Sequence, residues 1–320
     1  MSIFWLKKWY FDVITVRGDV LYAYVIIYRL ATVARAILSA HLAPADGRHI
    51  RASLTVPARS IHDDHTVNFG PHFLEKTTDG DHLHLDLPRL TVDLRYASAG
   101  AWRPNPKGVL LQKGRHSLGW DVPLVRASVT GTLTQGPERT DASGTGYHDV
   151  VWTDIPPWRL PISEILWGRA HFPGSTLVWN QLTTRDGGVL QNILVKADGS
   201  LTNTRGAGGN GEARPRPRWI DDRQFQLRAS GGHGNAILSH PAFSVSLKEK
   251  RVFEKSAVST PDRIGWIPLR KALDGLSGRP TEKKILSEAR LDLGGGVERG
   301  LAIHERVLWN WRPGNEEAGP

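Results

Sequence analysis

Val125-Arg126-Ala127-Ser128-Val129-Thr130-Gly131-Thr132-Leu133 places small or apolar side chains at the odd positions and polar ones between them. Successive side chains of a β-strand point to opposite faces. The stretch therefore reads as a half-buried strand with one face in a core. Residues 83–87 and 90–96 alternate in the same way, and Pro88 between them marks a bend or an edge. The pattern returns in 243–252, 285–293 and 301–311.

Turn signals punctuate these runs: Asp46-Gly47, Asp79-Gly80, Asp186-Gly187-Gly188, Asp198-Gly199 and Gly294-Gly295-Gly296. Short alternating strands between such turns predict an all-β chain of sandwich or barrel type. Helix candidates are few, and 270–276, closed by Gly278 and Pro280, is the clearest. Two stretches read as connectors. Residues 204–218 are rich in Gly, Arg and Pro, with no helix start after them to make a phosphate cradle. Residues 155–161 set Pro156, Pro157 and Pro161 around Trp158 as a stiff linker. With 320 residues in all, two domains are expected, 1–160 and 161–320.

The chain has no cysteine, which excludes disulfides, thiol nucleophiles and Cys-based metal sites, and fits a reducing, cytoplasmic setting. Its net charge of +9 is scattered; Arg214-Pro215-Arg216-Pro217-Arg218 is the only local concentration. No groove-reading motif accompanies it, so solubility explains the charge better than nucleic acid does. The N-terminus enters Phe4-Trp5-Leu6-Lys7-Lys8-Trp9 without a cleavage-site pattern. The apolar run 20–42 is interrupted by Arg29 and Arg35, and its unbroken part, 20–28, falls far short of the roughly 20 residues that span a bilayer. It reads as buried strand, with a peripheral membrane contact left open.

Several segments, in order along the chain, resemble one family. Trp9-Tyr10-Phe11-Asp12 is similar to the opening of the carotenoid 1,2-hydratase (hydroxyneurosporene synthase) and AttH-like group. Trp120-Asp121-Val122-Pro123 followed by Ala127-Ser128-Val129-Thr130-Gly131 resembles a later strand of its first domain. Gly146-Tyr147-His148-Asp149-Val150-Val151-Trp152 resembles its GYxDHNW motif, Trp167-Gly168-Arg169 the start of its second domain, and residues 300–306 its closing strand. The resemblance implies two tandem lipocalin-like antiparallel β-barrels with a hydrophobic cavity at or near their interface. It also implies chemistry drawn from a varied set: carotenoid hydratases, tocopherol cyclase-like proteins, and Diels–Alderase-type cyclases of polyketides. Fold fixes function poorly in such a group. The chain departs from the motif where Val150 and Val151 replace its His and Asn, which makes the local site drier and weighs against addition of water.

Protonating an isolated alkene needs an acid that stays protonated near neutral pH, and burial among apolar groups achieves this by disfavouring the charged form. Asp149 is the candidate general acid. Tyr147 shares its face and is its expected hydrogen-bond partner, whereas His148 points the other way. Trp152 and Trp167 are expected to wall the substrate, with Tyr10, Asp12, His148 and Glu164 as further binding candidates; aromatic faces stabilise a cation. Each acid also has a plainer reading. Asp149 accepts structural hydrogen bonds, and Asp12 ties the first strand to a neighbour.

His82, His84 and Asp86 line one face of a strand, as metal ligands can, but also as any half-solvated strand does. His62-Asp63-Asp64-His65 offers similar ingredients in a loop. No metal and no cofactor are expected, since nucleophile-elbow, Walker, His-Glu-x-x-His and dinucleotide fingerprints are lacking. The expected function is a cofactor-independent cyclase or lyase acting on a hydrophobic polyene, terpenoid or polyketide by positioning plus acid catalysis. The alternatives are a lipid or pigment carrier without chemistry, and a carotenoid 1,2-hydratase proper. The partner is a hydrophobic small molecule.

Overall fold

The computed structural model describes residues 3–58, 66–98, 108–197, 218–220, 226–229, 235–241, 243–257 and 280–309. The chain divides into two compact units, Met1–Pro156 and Pro157–Pro320, the break falling inside the proline-rich 155–161 stretch. Among the described residues both are built almost wholly of antiparallel strands. The helix expected at 270–276, the loop at 204–217 and the His62–His65 cluster lie outside the described residues.

The first unit contains β1 (Phe4–Thr15), β2 (Val20–Leu30), β3 (Val33–Ala43), β4 (Ile50–Pro57), β5 (Thr66–Phe69), β6 (His72–Lys76), β7 (Gly80–Leu87), β8 (Leu90–Ser98), β9 (Val109–Lys113), β10 (His116–Gln135) and β11 (Glu138–Thr153). They form one sheet in the order β4-β3-β2-β1-β11-β10-β8-β7-β6-β5, with β9 paired to β10. The sheet curls until β3 and β4 approach β7 and β8, closing a barrel around an apolar core. Odd residues of β1 and β2 (Trp9, Phe11, Val13, Leu21, Ala23, Val25) meet even residues of β3 (Ala36, Leu38, Ala40) there. The stretch 125–133 lies in the 20-residue β10, where Ala127, Val129 and Leu133 enter the same core.

The second unit holds β12 (Ile162–His171), β13 (Ser175–Thr184), β14 (Val189–Ala197), β15 (Arg218–Ile220), β16 (Gln226–Ala229), β17 (Ala236–His240), β18 (Phe243–Ala257), β19 (Thr281–Asp292) and β20 (Val297–Leu308). Their order is β15-β14-β13-β12-β20-β19-β18-β17-β16. Ala170, Phe172, Leu177, Trp179, Leu238, Val245, Leu291 and Ala302 fill the core. The two units share a plan: in each, the first strand lies between the second and the last.

The apolar run 20–42 is a hairpin, not one strand. Ala31, with φ of 53°, turns the chain between β2 and β3 without the Gly or Asn that usually marks such a turn. Two of the turn signals are seen directly: Gly187 and Gly294 take positive φ in the β13–β14 and β19–β20 hairpins, whereas Asp198-Gly199 lies outside the described residues.

In the first unit the central strands are buried on both faces. Behind the core, on the opposite face of β1, β2 and β11, lie Tyr10, Asp12, Tyr22 and Asp149, each 3% exposed or less. A sheet with one wetted face would put polar groups there into water. Here they are desolvated.

Candidate active site

The register between β1 and β11 sets the constellation. Tyr10 faces Asp149 and Asp12 faces Tyr147, while on the other side of β1 Tyr10 faces Tyr24 and Asp12 faces Tyr22. Five of these six rings and carboxyls are buried, and all project from one face because they sit at matching positions of a period-two pattern. Tyr10 lies 5.3 Å from Tyr24 and 6.2 Å from Tyr147 between ring centroids. Tyr22 stacks on His41 at 4.5 Å and its hydroxyl lies 2.9 Å from Nδ1 of that ring.

On its other edge β11 pairs with β10, and here the ladder breaks. Register shifts fall between Asp121 and Leu124 and again between Leu124 and Ala127, around Val122-Pro123. Proline has no N–H to give the ladder, and a bulge re-aims the side chains beside it. The disruption lies opposite Asp149. Trp120, just before it, turns its indole toward the acid, and Nε1 donates to Oδ2 of Asp149 at 3.1 Å. The Tyr147 hydroxyl donates to the same oxygen at 3.0 Å.

Oδ1 of Asp149 is fully buried and has no hydrogen-bond partner among the described residues. Burial raises the carboxyl from its ordinary value to about 6, outweighing Lys8 and the Trp120 and Tyr147 hydrogen bonds, which lower it; Asp12 adds a smaller upward push. With Oδ2 accepting two hydrogen bonds, the proton of the neutral acid belongs on Oδ1. It is then a donor with no acceptor among the described residues competing for it.

The expected residues separate into two groups. Asp149, Tyr147, Tyr10 and Asp12 come together as described. His148 and Trp152 do not join them. His148 turns to the core face, stacks on Phe11 at 3.9 Å with an interplanar angle of 2°, and binds the Tyr10 carbonyl through Nδ1 at 2.8 Å. Desolvation lowers its pKa, so it is a neutral packing residue. Trp152 also leaves the Asp149 face. Its indole lies against Gly119, its cross-strand partner, where a Cβ would come within 2.0 Å of the ring. The even residues of β11 face the core, and parity places Trp152 among them.

In the second unit Trp167 is buried on β12, and Glu164 accepts from Nε of Arg306 at 2.6 Å, a structural ion pair rather than an open acid. The sequence reading gave no role to Trp120, Tyr22, Tyr24 or Lys8. Period-two counting puts Tyr22 and Tyr24 on one face of β2, but the register that sets Tyr24 against Tyr10 and the bulge that brings in Trp120 appear only when the strands pair.

On β7, His82 and His84 turn to an aspartate of the neighbouring strand rather than gathering with Asp86. Asp93 on β8 lies 2.7 Å from Nε2 of His82 and 3.5 Å from Nδ1 of His84, whereas Asp86 accepts from Thr91. Among the described residues no group of three or more His, Asp or Glu is placed to hold a metal ion. No helix among them is long and apolar enough to cross a membrane.

Comparison with protein-family models finds no match, and comparison with curated proteins finds none. Solved structures do match. A candidate AttH protein from Nitrosomonas europaea aligns with a TM-score of 0.62 at 13% identity, over 96% of this chain and 93% of that one. CghA bound to Sch210972 aligns with a TM-score of 0.63 at 16% identity, over 96% and 89%. Kievitone hydratase from Nectria haematococca aligns with a TM-score of 0.60 at 10% identity, over the same shares. At these identities the likeness is one of fold, and it spans nearly the whole chain: this protein is built on the tandem lipocalin-like β architecture of those three.

Proposed function

We propose that the protein is a cofactor-independent enzyme of cyclase or hydratase type that acts on a hydrophobic polyene, terpenoid or polyketide, with Asp149 as general acid. The observation that carries this is the buried, unpartnered Oδ1 of a carboxyl raised to about 6. Leaving a buried polar atom without a partner costs on the order of 1–3 kcal/mol, which a purely structural aspartate has no reason to incur. Strained or unsatisfied buried groups cluster where chemistry is done.

In this mechanism the Oδ1 proton passes to one carbon of a substrate alkene, and the π pair forms the new C–H bond. The adjacent carbon becomes cationic. The Trp120 and Tyr147 hydrogen bonds to Oδ2 stabilise the carboxylate left behind. The faces of Tyr10, Tyr24 and Tyr147 offer the cation an electron-rich surface. A second alkene of the substrate then attacks the cation, and loss of a proton to Asp149 restores the acid. The net change is an isomerising ring closure that consumes nothing.

Cyclisation is favoured over water addition by Val150 and Val151, which stand where the resembling family has His and Asn. Val150 packs into the barrel core, and Val151 faces Lys8 and Trp120 in the register. Neither can hold a water. Support by analogy comes from two proteins of the same fold, one crystallised with Sch210972 and one named a hydratase.

The test is Asp149→Asn assayed with a polyene substrate, following product and, separately, binding. Loss of turnover with binding retained supports acid catalysis. Retained turnover transfers the chemistry to positioning alone, and binding without product from the wild type makes the protein a carrier.

A further inference from the structure

The second unit repeats the plan of the first, and it repeats the anomaly. On β12 and β13 the face opposite the core is again buried and again polar. Trp167 is 8% exposed, Arg169 0%, His171 8% and Asn180 4%. Asn180 stands directly across from Trp167, and Arg169, facing Val178, is its diagonal neighbour on that face. The core lies behind, with Ala170, Leu177 and Trp179 at the intervening positions. Gly168 lets the Trp179 indole close onto the strand; a Cβ there would come within 2.2 Å of the ring.

Arg169 and Asn180 differ in what they ask for. One N–H of the guanidinium lies 3.2 Å from Nδ1 of His171, which makes that nitrogen an acceptor and the imidazole neutral. Asn180 has a buried Oδ1 without a partner, and its amide makes no side-chain hydrogen bond to any described residue. A buried amide can present either its carbonyl or its NH2 to the same side by a half-turn. Lys284, fully buried on β19 of the same unit, already has Glu282 and Glu305 as ion-pair partners. Asn180 therefore carries an unmet demand on this face, with a buried guanidinium next to it.

We infer that the Asn180–Arg169 face of β12 and β13 is a recognition site for the carboxylate end of an otherwise apolar ligand. The buried amide donates one N–H to a carboxylate oxygen and Arg169 supplies charge-assisted donors in a fixed fork. The inference rests on the reading above that the ligand is largely apolar, and it adds the polar head that the polyene reading lacks.

The probe pair is cis-parinaric acid, a fluorescent polyene with a carboxylate, and its methyl ester, titrated into the full-length protein at pH 7.5. The wild type is expected to bind the acid about ten- to a hundredfold more tightly than the ester, the worth of hydrogen bonds to a charged group. Asn180→Leu and Arg169→Gln should each reduce that preference toward unity while leaving ester binding within about twofold. Asn180→Leu is the safeguard, because it replaces an unsatisfied buried amide with an apolar group of similar size and leaves the fold intact. Equal binding of acid and ester by the wild type overturns the oxyanion site and leaves the polyene reading standing. A preference that survives in Asn180→Leu overturns it as well. Failure of both probes to bind overturns the apolar-ligand reading and this inference together.

Discussion

Asp149 stores a pH dependence that can be read without knowing the substrate. In the unfolded chain its carboxyl titrates at the ordinary 3.8; in the fold it titrates at about 6. The folded state therefore holds the proton more tightly. Its contribution to stability is fully present below pH 3.8 and is lost as the pH climbs through 6. The difference of about two pH units corresponds to about 3 kcal/mol, at 1.36 kcal/mol per unit. Asp149→Asn removes this titration and keeps an acceptor for Trp120 and Tyr147. Urea unfolding of wild type and variant, followed by tryptophan fluorescence from pH 4 to pH 8, isolates the effect, because every other titrating group is common to both. The stability of the variant relative to wild type should rise by about 3 kcal/mol between pH 4 and pH 7. For a unit of about 156 residues that is roughly 6–12 °C in Tm. Parallel curves across the whole range would refute the reasoning, since they would mean that the carboxyl is neither desolvated nor poised to donate.

Other outcomes follow from the same geometry. Trp120→Phe and Tyr147→Phe each remove a hydrogen bond that lowers the Asp149 pKa, so the alkaline limb of a pH–rate profile should move to higher pH in both. His304 behaves with the opposite sign. Burial holds it at about 4, beside Ser287 at 2.8 Å, so its contribution is present above pH 6.5 and lost as pH falls toward 4. His304→Gln should flatten about 3 kcal/mol of acid destabilisation, measured by unfolding at pH 7 and pH 4.5. Gly119→Ala drives a methyl into the Trp152 indole and should cost about 1–3 kcal/mol in thermal unfolding; an unchanged Tm would mean the ring does not rest there.

The all-β architecture was legible because alternation is a local property. Residues 83–87, 90–96 and 243–252 carry it in their own side chains, and each lies within a strand. The pairing of Tyr147 with Asp149 followed from the same rule, and so did the separation of His148. Applied one step further, that rule separates Trp152, three positions from Asp149 and therefore on the other face. Trp120 was different. Its approach depends on a break in the ladder at Val122-Pro123, whose effect is fixed only when β10 lies against β11. The β2–β3 turn was hidden for a simpler reason, as Ala31 adopts a positive φ with no glycine to announce it. The unpartnered oxygens of Asp149 and Asn180 are properties of three-dimensional burial and have no signature in the chain itself.

His148 and Asp149 are neighbours that look in opposite directions, one clamped flat against Phe11 and the other holding the acid. A strand cannot rotate one of them without rotating its successor. Substitutions chosen to refill the barrel interior near Phe11 will therefore steer the carboxyl at its back. The packing of the interior and the setting of the carboxyl are thus fixed by the same few peptide units, so changing either in isolation will be hard.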